Sequence, residues 1–199
     1  MNPDLDQFNS KQDFYTGCIA FSDGQCIWGK GFGSEGTQVA EICFNTSMTG
    51  YQEILTDLSY SGQIINFTFP HIGNTGTNIY DNESDTVVAL GMISRNIPTQ
   101  ESNWQADKSF NSWLKKNNVI GIGNVDTRKI TRLIRSDGVQ SVAISHSKSG
   151  FINSDELKKL AKSAAGLKGK ELTADVTCAE RVLWKKRNRS NQTVVQSNQ

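Results

Sequence analysis

Residues 44–76 read FNTSMTGYQEILTDLSYSGQIINFTFPHIGNTG, and the architecture of the chain turns on how this stretch is parsed. It opens at the end of an apolar run (Val39, Ile42, Phe44) and breaks into Asn45-Thr46-Ser47-Met48-Thr49-Gly50. In such a loop the short polar side chains bond their own backbone in place of a ladder. Tyr51 to Asp57 then reads as a short helix with Ile54 and Leu55 facing a core, and Leu58 to Gly62 reads as a turn. Gln63 to Phe69 is β-rich and apolar, a strand that stops at Pro70-His71-Ile72-Gly73. Two strands therefore bracket a structured connection of about 17 residues, longer than most, and such connections tend to carry function.

Outward from this stretch, the N-terminal side predicts strands. Residues 1–13 hold few hydrophobic groups and read as a lead-in to a domain over 14–184. Tyr15 to Phe21 and Gln25 to Trp28 flank Asp23-Gly24, a hairpin signal. Gly31-Phe32-Gly33-Ser34-Glu35-Gly36 spells GxGxxG, but a strand-like segment follows it where a dinucleotide site needs a helix. The glycines are read instead as turn and bulge positions between antiparallel strands.

On the C-terminal side, Thr86 to Ile93 reads as a buried strand ended by Pro98. Asp107 to Asn117 reads as an amphipathic helix capped by Asp107, with Phe110, Trp113 and Leu114 on one face. Trp104 and Trp113 are both assigned to the core. Val119 to Gly123 and Val139 to Ser145 read as strands. Between them a helix from Thr127 to Ser136, capped by Asp126, buries Ile130, Leu133 and Ile134 and closes on Gly138 in the left-handed region. Asn153 followed by Glu156 starts a last helix that ends before Gly166. Strands first, then helices among short strands, specify a mixed α/β domain with a sheet layer and helices on one side. The polar segment 185–199, with four cations in Lys185-Lys186-Arg187-Asn188-Arg189, reads as a solvated tail.

Composition narrows the function. At 199 residues with a formal charge of +1, the chain has no global field to draw nucleic acid. No apolar run approaches the roughly 20 residues of a membrane span, and the polar N-terminus does not resemble a secretory signal. The four cysteines (Cys18, Cys26, Cys43, Cys178) show no CxxC spacing, and His71 and His146 are the only histidines, so no metal site is expected. Three of those cysteines sit in strand patterns as small hydrophobes, which suits a reducing, cytoplasmic compartment.

Residues 44–76, together with Ser102-Asn103-Trp104 and Gly121-Ile122-Gly123-Asn124-Val125-Asp126-Thr127-Arg128-Lys129-Ile130-Thr131-Arg132, carry a resemblance. The chain resembles, from about Gly17 to Trp184, the N-terminal domain of the small subunit of glutamine-hydrolysing carbamoyl-phosphate synthetase. The resemblance implies a swivelling β/β/α fold and a partner, the large subunit, which uses ATP, Mg and bicarbonate. It implies a glutaminase domain elsewhere with a nucleophilic cysteine in a Gly-x-Cys-x-Gly elbow and His and Glu partners. No cysteine of this chain lies in such an elbow, so no catalytic residue and no cofactor is assigned to it. It also implies that Ser59 reaches the bound glutamine; the turn has Leu58 where the family commonly has proline.

Read from residue types alone, Ser59 is favoured to bond its own turn backbone, and only the resemblance reverses that reading. His71 reads as a structural histidine holding a neighbouring loop, and Asp126 as a plain helix cap. Arg128, Arg132 and Arg135 at i, i+4 and i+7 form a solvated row that also suits a partner surface. A free-standing interaction module without an enzymatic role is the alternative reading.

Overall fold

The computed structural model describes residues 15–164 together with 166, 176 and 177. The chain divides into Met1–Lys168 and Gly169–Gln199, and the fold below is that of the first unit. The expected lead-in 1–13, the basic tail 185–199, Cys178 and Trp184 lie outside the described residues.

Seven strands form a closed barrel. In chain order these are β1 (Gly17–Phe21), β2 (Cys26–Gly33), β3 (Gly36–Asn45), β4 (Gln63–Phe67), β5 (Gly91–Ile93), β6 (Ile120–Gly123) and β7 (Ser141–His146). Around the ring they run β1-β2-β6-β5-β4-β3-β7. The neighbours β3, β4, β5 and β6 are parallel. The contacts of β1 with β2, β2 with β6, β1 with β7 and β3 with β7 are antiparallel. Parallel neighbours need crossover connections of a dozen or more residues, and residues 46–62 are such a connection. The mixed α/β class read from the sequence is therefore what forms, and the sheet layer bends round until its two edges meet on β7.

Strands β1, β4, β5, β6 and β7 are covered on both faces and do not alternate, whereas β2 exposes Lys30 and β3 exposes Gly36 and Thr37. Side chains of one parity (Ile19, Phe21, Ile42, Ile64, Val142, Ile144) make a central cluster with Ile120, Ile122, Ile130 and Ile134. The other parity turns outward. Ile65 and Phe67 pack under Tyr51, Leu55, Phe110, Trp113 and Leu114. Cys18, Ala20 and Ala143 pack under Leu157 and Ala161. Each fully buried isoleucine of this set contributes about 1.5–3 kcal/mol relative to exposure.

Among the described residues four helices decorate the barrel: α1 (Tyr51–Thr56), α2 (Phe110–Lys116), α3 (Thr127–Asp137) and α4 (Ser154–Ser163). In α3 Asp126 caps as expected, its Oδ1 accepting the Lys129 amide at 3.0 Å, and Gly138 closes it with φ of +83°, a value that favours glycine. The α4 cap is Asn153, whose Oδ1 accepts from the Asp155 and Glu156 amides.

Several sequence expectations are corrected. The α2 cap is Ser109, not Asp107; the amides of Asp107 and Lys108 both donate to the Thr77 carbonyl, and Thr77 donates back to Lys108, so residues 107–108 are held out of the helix. The strand expected over 86–93 shrinks to Gly91–Ile93. Before that point Val88 and Ala89 donate to the Leu55 carbonyl, and β4 has no edge beside them. Strand β2 runs through Gly29, Gly31 and Gly33 instead of stopping at Trp28. Gly33 and Gly36 do flank a turn, but Gly31 lies within the ladder, and a Cβ there would occupy the place of the His146 ring. Trp113 is 8% exposed and stacks on Phe110, whereas Trp104 is 89% exposed in the loop before α2.

The turn after α1 is a single 3₁₀ segment, Leu58–Tyr60, with Asp57 in extended conformation (φ −74°, ψ 121°) before it. That extended residue is what a following proline requires, and the first helical position leaves its N–H unused. Replacing Leu58 by proline is accordingly expected to raise stability by about 0.4–1 kcal/mol, measured by denaturant melts. Asp126→Ala should lower it by about 0.5–1 kcal/mol through the lost cap. The Lys129 amide holds the Asp126 carboxyl below its ordinary range, with a smaller contribution from Arg95. A depressed folded-state pKa gives stability that is present above the unfolded value and lost as pH falls, so the deficit of the variant should shrink below about pH 4.

Candidate functional site

The connection 46–62 that joins two parallel strands holds the residue singled out from the sequence. Within it, Ser59 is exposed. The turn that carries it is closed by other groups. Asp57 Oδ1 accepts from the Ser59 amide at 2.9 Å, and the Tyr60 and Ser61 amides donate to the Asp57 and Leu58 carbonyls. The Ser59 hydroxyl makes no hydrogen bond among the described residues. A serine that bonds its own turn is therefore not what the chain presents: Asp57 does that work, and the hydroxyl is left to donate and accept elsewhere.

The turn is anchored to the barrel. Asn45, at the end of β3, donates through Nδ2 to the Tyr60 hydroxyl at 2.9 Å. The Tyr51 hydroxyl lies 2.9 Å from Asn74 Oδ1, with the Met48 and His71 carbonyls each at 3.2 Å. It thus ties the loop before α1 to the loop after β4. Burial raises the Tyr51 phenol above its ordinary value, so it stays a neutral donor. Gln52, 3% exposed, uses both ends of its amide on residues 78 and 82. Thr56 donates to the Gln52 carbonyl and accepts from the Glu83 amide. The helix expected to bury Ile54 and Leu55 buries Leu55 with Tyr51, Gln52 and Thr56, and Ile54 is half-buried. These polar locks escaped sequence reading because a buried glutamine looks like an exposed one until its partners, 26 and 30 residues away, are known.

His71 differs from expectation in detail. Its backbone carbonyl serves the loop anchor, while its exposed ring stands edge-on to Phe69 at 6.2 Å and makes no hydrogen bond among the described residues. Among the described residues no group of three or more His, Cys, Asp or Glu side chains is placed to hold a metal ion.

Cys18, Cys26 and Cys43 are not poised as nucleophiles. Burial pushes Cys43 up to about 11, and it raises Cys18 and Cys26 also, with the neighbouring thiol adding to the effect at Cys18. A neutral thiol does not attack an amide.

The arginine row stands beside the same connection. Arg128, Arg132 and Arg135 border a groove of about 370 Å³ with Thr46, Thr68 and Thr131. Thr46 and Thr68 directly follow the parallel strands β3 and β4, so the groove opens at the carboxyl ends of those strands. Behind it Asn66, fully buried, donates to the Thr127 carbonyl and to Thr131 Oγ1, which fixes α3 against the barrel. Among the described residues no acidic side chain lines the groove.

Comparison with known proteins places this geometry. Residues 19–144 match the family described as carbamoyl-phosphate synthase small chain, CPSase domain. The carbamoyl phosphate synthase small chain of Ruegeria pomeroyi is 48% identical over 169 residues, 85% of this chain and 44% of that protein. Its namesake in Zymomonas mobilis is 47% identical over 166 residues, covering 83% and 44%. Among solved structures, an aminopeptidase from Aneurinibacillus sp. strain AM-1 has a TM-score of 0.39 at 11% identity, covering 66% of this chain and 30% of that one, too slight a likeness to bear on fold or function. The chain thus spans less than half the length of the curated relatives it matches, and within that span it belongs to the carbamoyl-phosphate synthase small chain family.

Proposed function

We propose that this chain acts as the N-terminal domain of a carbamoyl-phosphate synthetase small subunit. It docks on the large subunit and supplies Ser59 to the glutamine site of a cytoplasmic complex that makes carbamoyl phosphate for arginine and pyrimidine synthesis. The observation that carries this reading is the exposed Ser59 hydroxyl on a turn closed by Asp57 and anchored through Tyr60 to β3. A hydroxyl so placed can both donate to a carboxylate and accept from an ammonium, the two charged groups of an amino acid. Glutamine hydrolysis itself belongs, on this reading, to a glutaminase domain with its own Cys, His and Glu. ATP, Mg and bicarbonate are handled by the large subunit. The neutral thiols at Cys18, Cys26 and Cys43 support an inactive chain when it is alone.

Docking is assigned to the arginine groove. Guanidinium groups present planar donor forks matched to carboxylates, and a row of three with no acidic lining favours an acidic partner surface.

Two experiments test these roles. Ammonia release from glutamine should appear only when large subunit and glutaminase domain are both added. In that reconstituted system Ser59→Ala should raise KM for glutamine about tenfold, the size of one lost hydrogen bond to a charged group, with the melting temperature unchanged. Ammonia release from the chain alone, or an unchanged KM in the variant, would remove the assignment. Arg128→Glu combined with Arg132→Glu should weaken large-subunit binding in calorimetry by at least about tenfold and flatten its salt dependence; unaltered binding would move the docking surface elsewhere.

A further inference from the structure

On a different part of the barrel, a second pocket of about 300 Å³ is built around the other histidine. His146 ends β7 with the inward parity of Val142 and Ile144, and it is only 5% exposed. Its ring lies over Gly31, the first glycine of the GxGxxG segment, which has no Cβ to obstruct it. Nδ1 is 3.0 Å from the Ser34 carbonyl. A carbonyl only accepts, so Nδ1 carries a proton there and Nε2 is the free position. Nε2 makes no hydrogen bond among the described residues, and the imidazole forms part of the pocket wall.

Other donors converge on the same space. Asn111 spends its oxygen on the Gly33 amide at 2.8 Å, which orients its NH₂ as the remaining hydrogen-bonding end. Thr16 Oγ1 accepts from the Gly31 amide at 2.9 Å and keeps its own proton to give. Among the described residues three lysines, Lys30, Lys115 and Lys148, stand on the lining, and no acidic side chain does. Lys148 is paired with Glu35 at 2.7 Å, while Lys30 and Lys115 form no ion pair among the described residues. Two ammonium charges are left over. Phe32, Ile97 and Pro98 supply an apolar wall.

We propose that this pocket binds a small phosphate monoester whose phosphate meets Lys30, Lys115 and His146 and whose apolar body lies on Phe32 and Pro98. The charge count matches a dianion. Lysines are compact point charges that suit a tetrahedral group, whereas a planar carboxylate is matched by an arginine fork, which this pocket lacks. Nε2 accepts from a monoprotonated phosphate or, when protonated, donates to it. The backbone amides of Gly31, Gly33 and Ser34 are already bonded, to Thr16, Asn111 and Val119, so the glycine segment is not a phosphate cradle. Its role is to let the imidazole approach.

The full chain should be titrated with phenyl phosphate, inorganic phosphate and benzoate by calorimetry, with the imidazole ¹⁵N signals followed in parallel. Saturable one-to-one binding of phenyl phosphate is expected, about fivefold or more tighter than either of the other two probes. The His146 Nε2 signal should move while that of His71 stays. Lys30→Gln combined with Lys115→Gln, at exposed positions that leave folding intact, should weaken phenyl phosphate about tenfold. No saturation by about 10 mM, equal affinity for benzoate or inorganic phosphate, an unmoved His146 signal, or an unaffected double variant would each overturn the proposal. None of these readouts involves glutamine or the large subunit, so their failure is separable from failure of the glutaminase-domain reading.

Discussion

Strand β7 hydrogen-bonds β1 along one edge and β3 along the other, and everything else in the fold depends on that double pairing. Without it the sheet would end in two open edges with unpaired donors and acceptors. With it the ring closes, and closure requires the register of every strand to be shared. A slip of one residue would turn Val142 and Ile144 out of the barrel and bring Ala143 and Ser145 in. The same register sets His146 opposite both Gly17 and Gly36 at the mouth of the ring. Core packing and the histidine pocket are thus two consequences of one ladder.

Closure also decides what the long connections do. Parallel neighbours β3 and β4 cannot be joined by a tight turn, so the chain must travel out and back through residues 46–62. The excursion is kept rigid by polar side chains that each find a partner in another segment: Tyr51, Gln52 and Thr56, which are buried, and Asn45, which is half-buried. Leaving such groups unpaired would cost about 1–3 kcal/mol apiece, which favours one conformation of the connection and therefore one position for Ser59. Rigidity of this kind would suit the role proposed for Ser59.

A formal charge of +1 conceals a divided surface. The arginine groove gathers three guanidinium groups at the carboxyl ends of β3 and β4, and the histidine pocket gathers three ammonium groups around β2 and β7. The first is a row on one helix. The second is assembled from five separate segments around a buried ring. Their chemistry differs accordingly, with planar forks at one and point charges at the other.

Much of the architecture was legible because local physics decided it. The Asp-Gly hairpin, the cap at Asp126, the cap at Asn153 and the apolar runs of β1, β3, β4 and β7 each declare themselves within a few residues. The contiguous stretch 44–76 was enough to indicate the family and to single out Ser59. What sequence could not settle was anything requiring a partner far along the chain. Thr77 moved the α2 cap from Asp107 to Ser109, and the turn of Val88 and Ala89 toward the Leu55 carbonyl, away from β4, shortened β5. Neither Trp104 nor Trp113 announces whether it is buried; a helix face buried one, and an irregular loop left the other exposed. Gly31 belongs to a motif that suggests a phosphate loop, yet its meaning is a ring from β7 lying across it. Residue type and spacing determined the elements and the family, while closure of the barrel decided which side chains meet, because those meetings join positions as much as 113 residues apart.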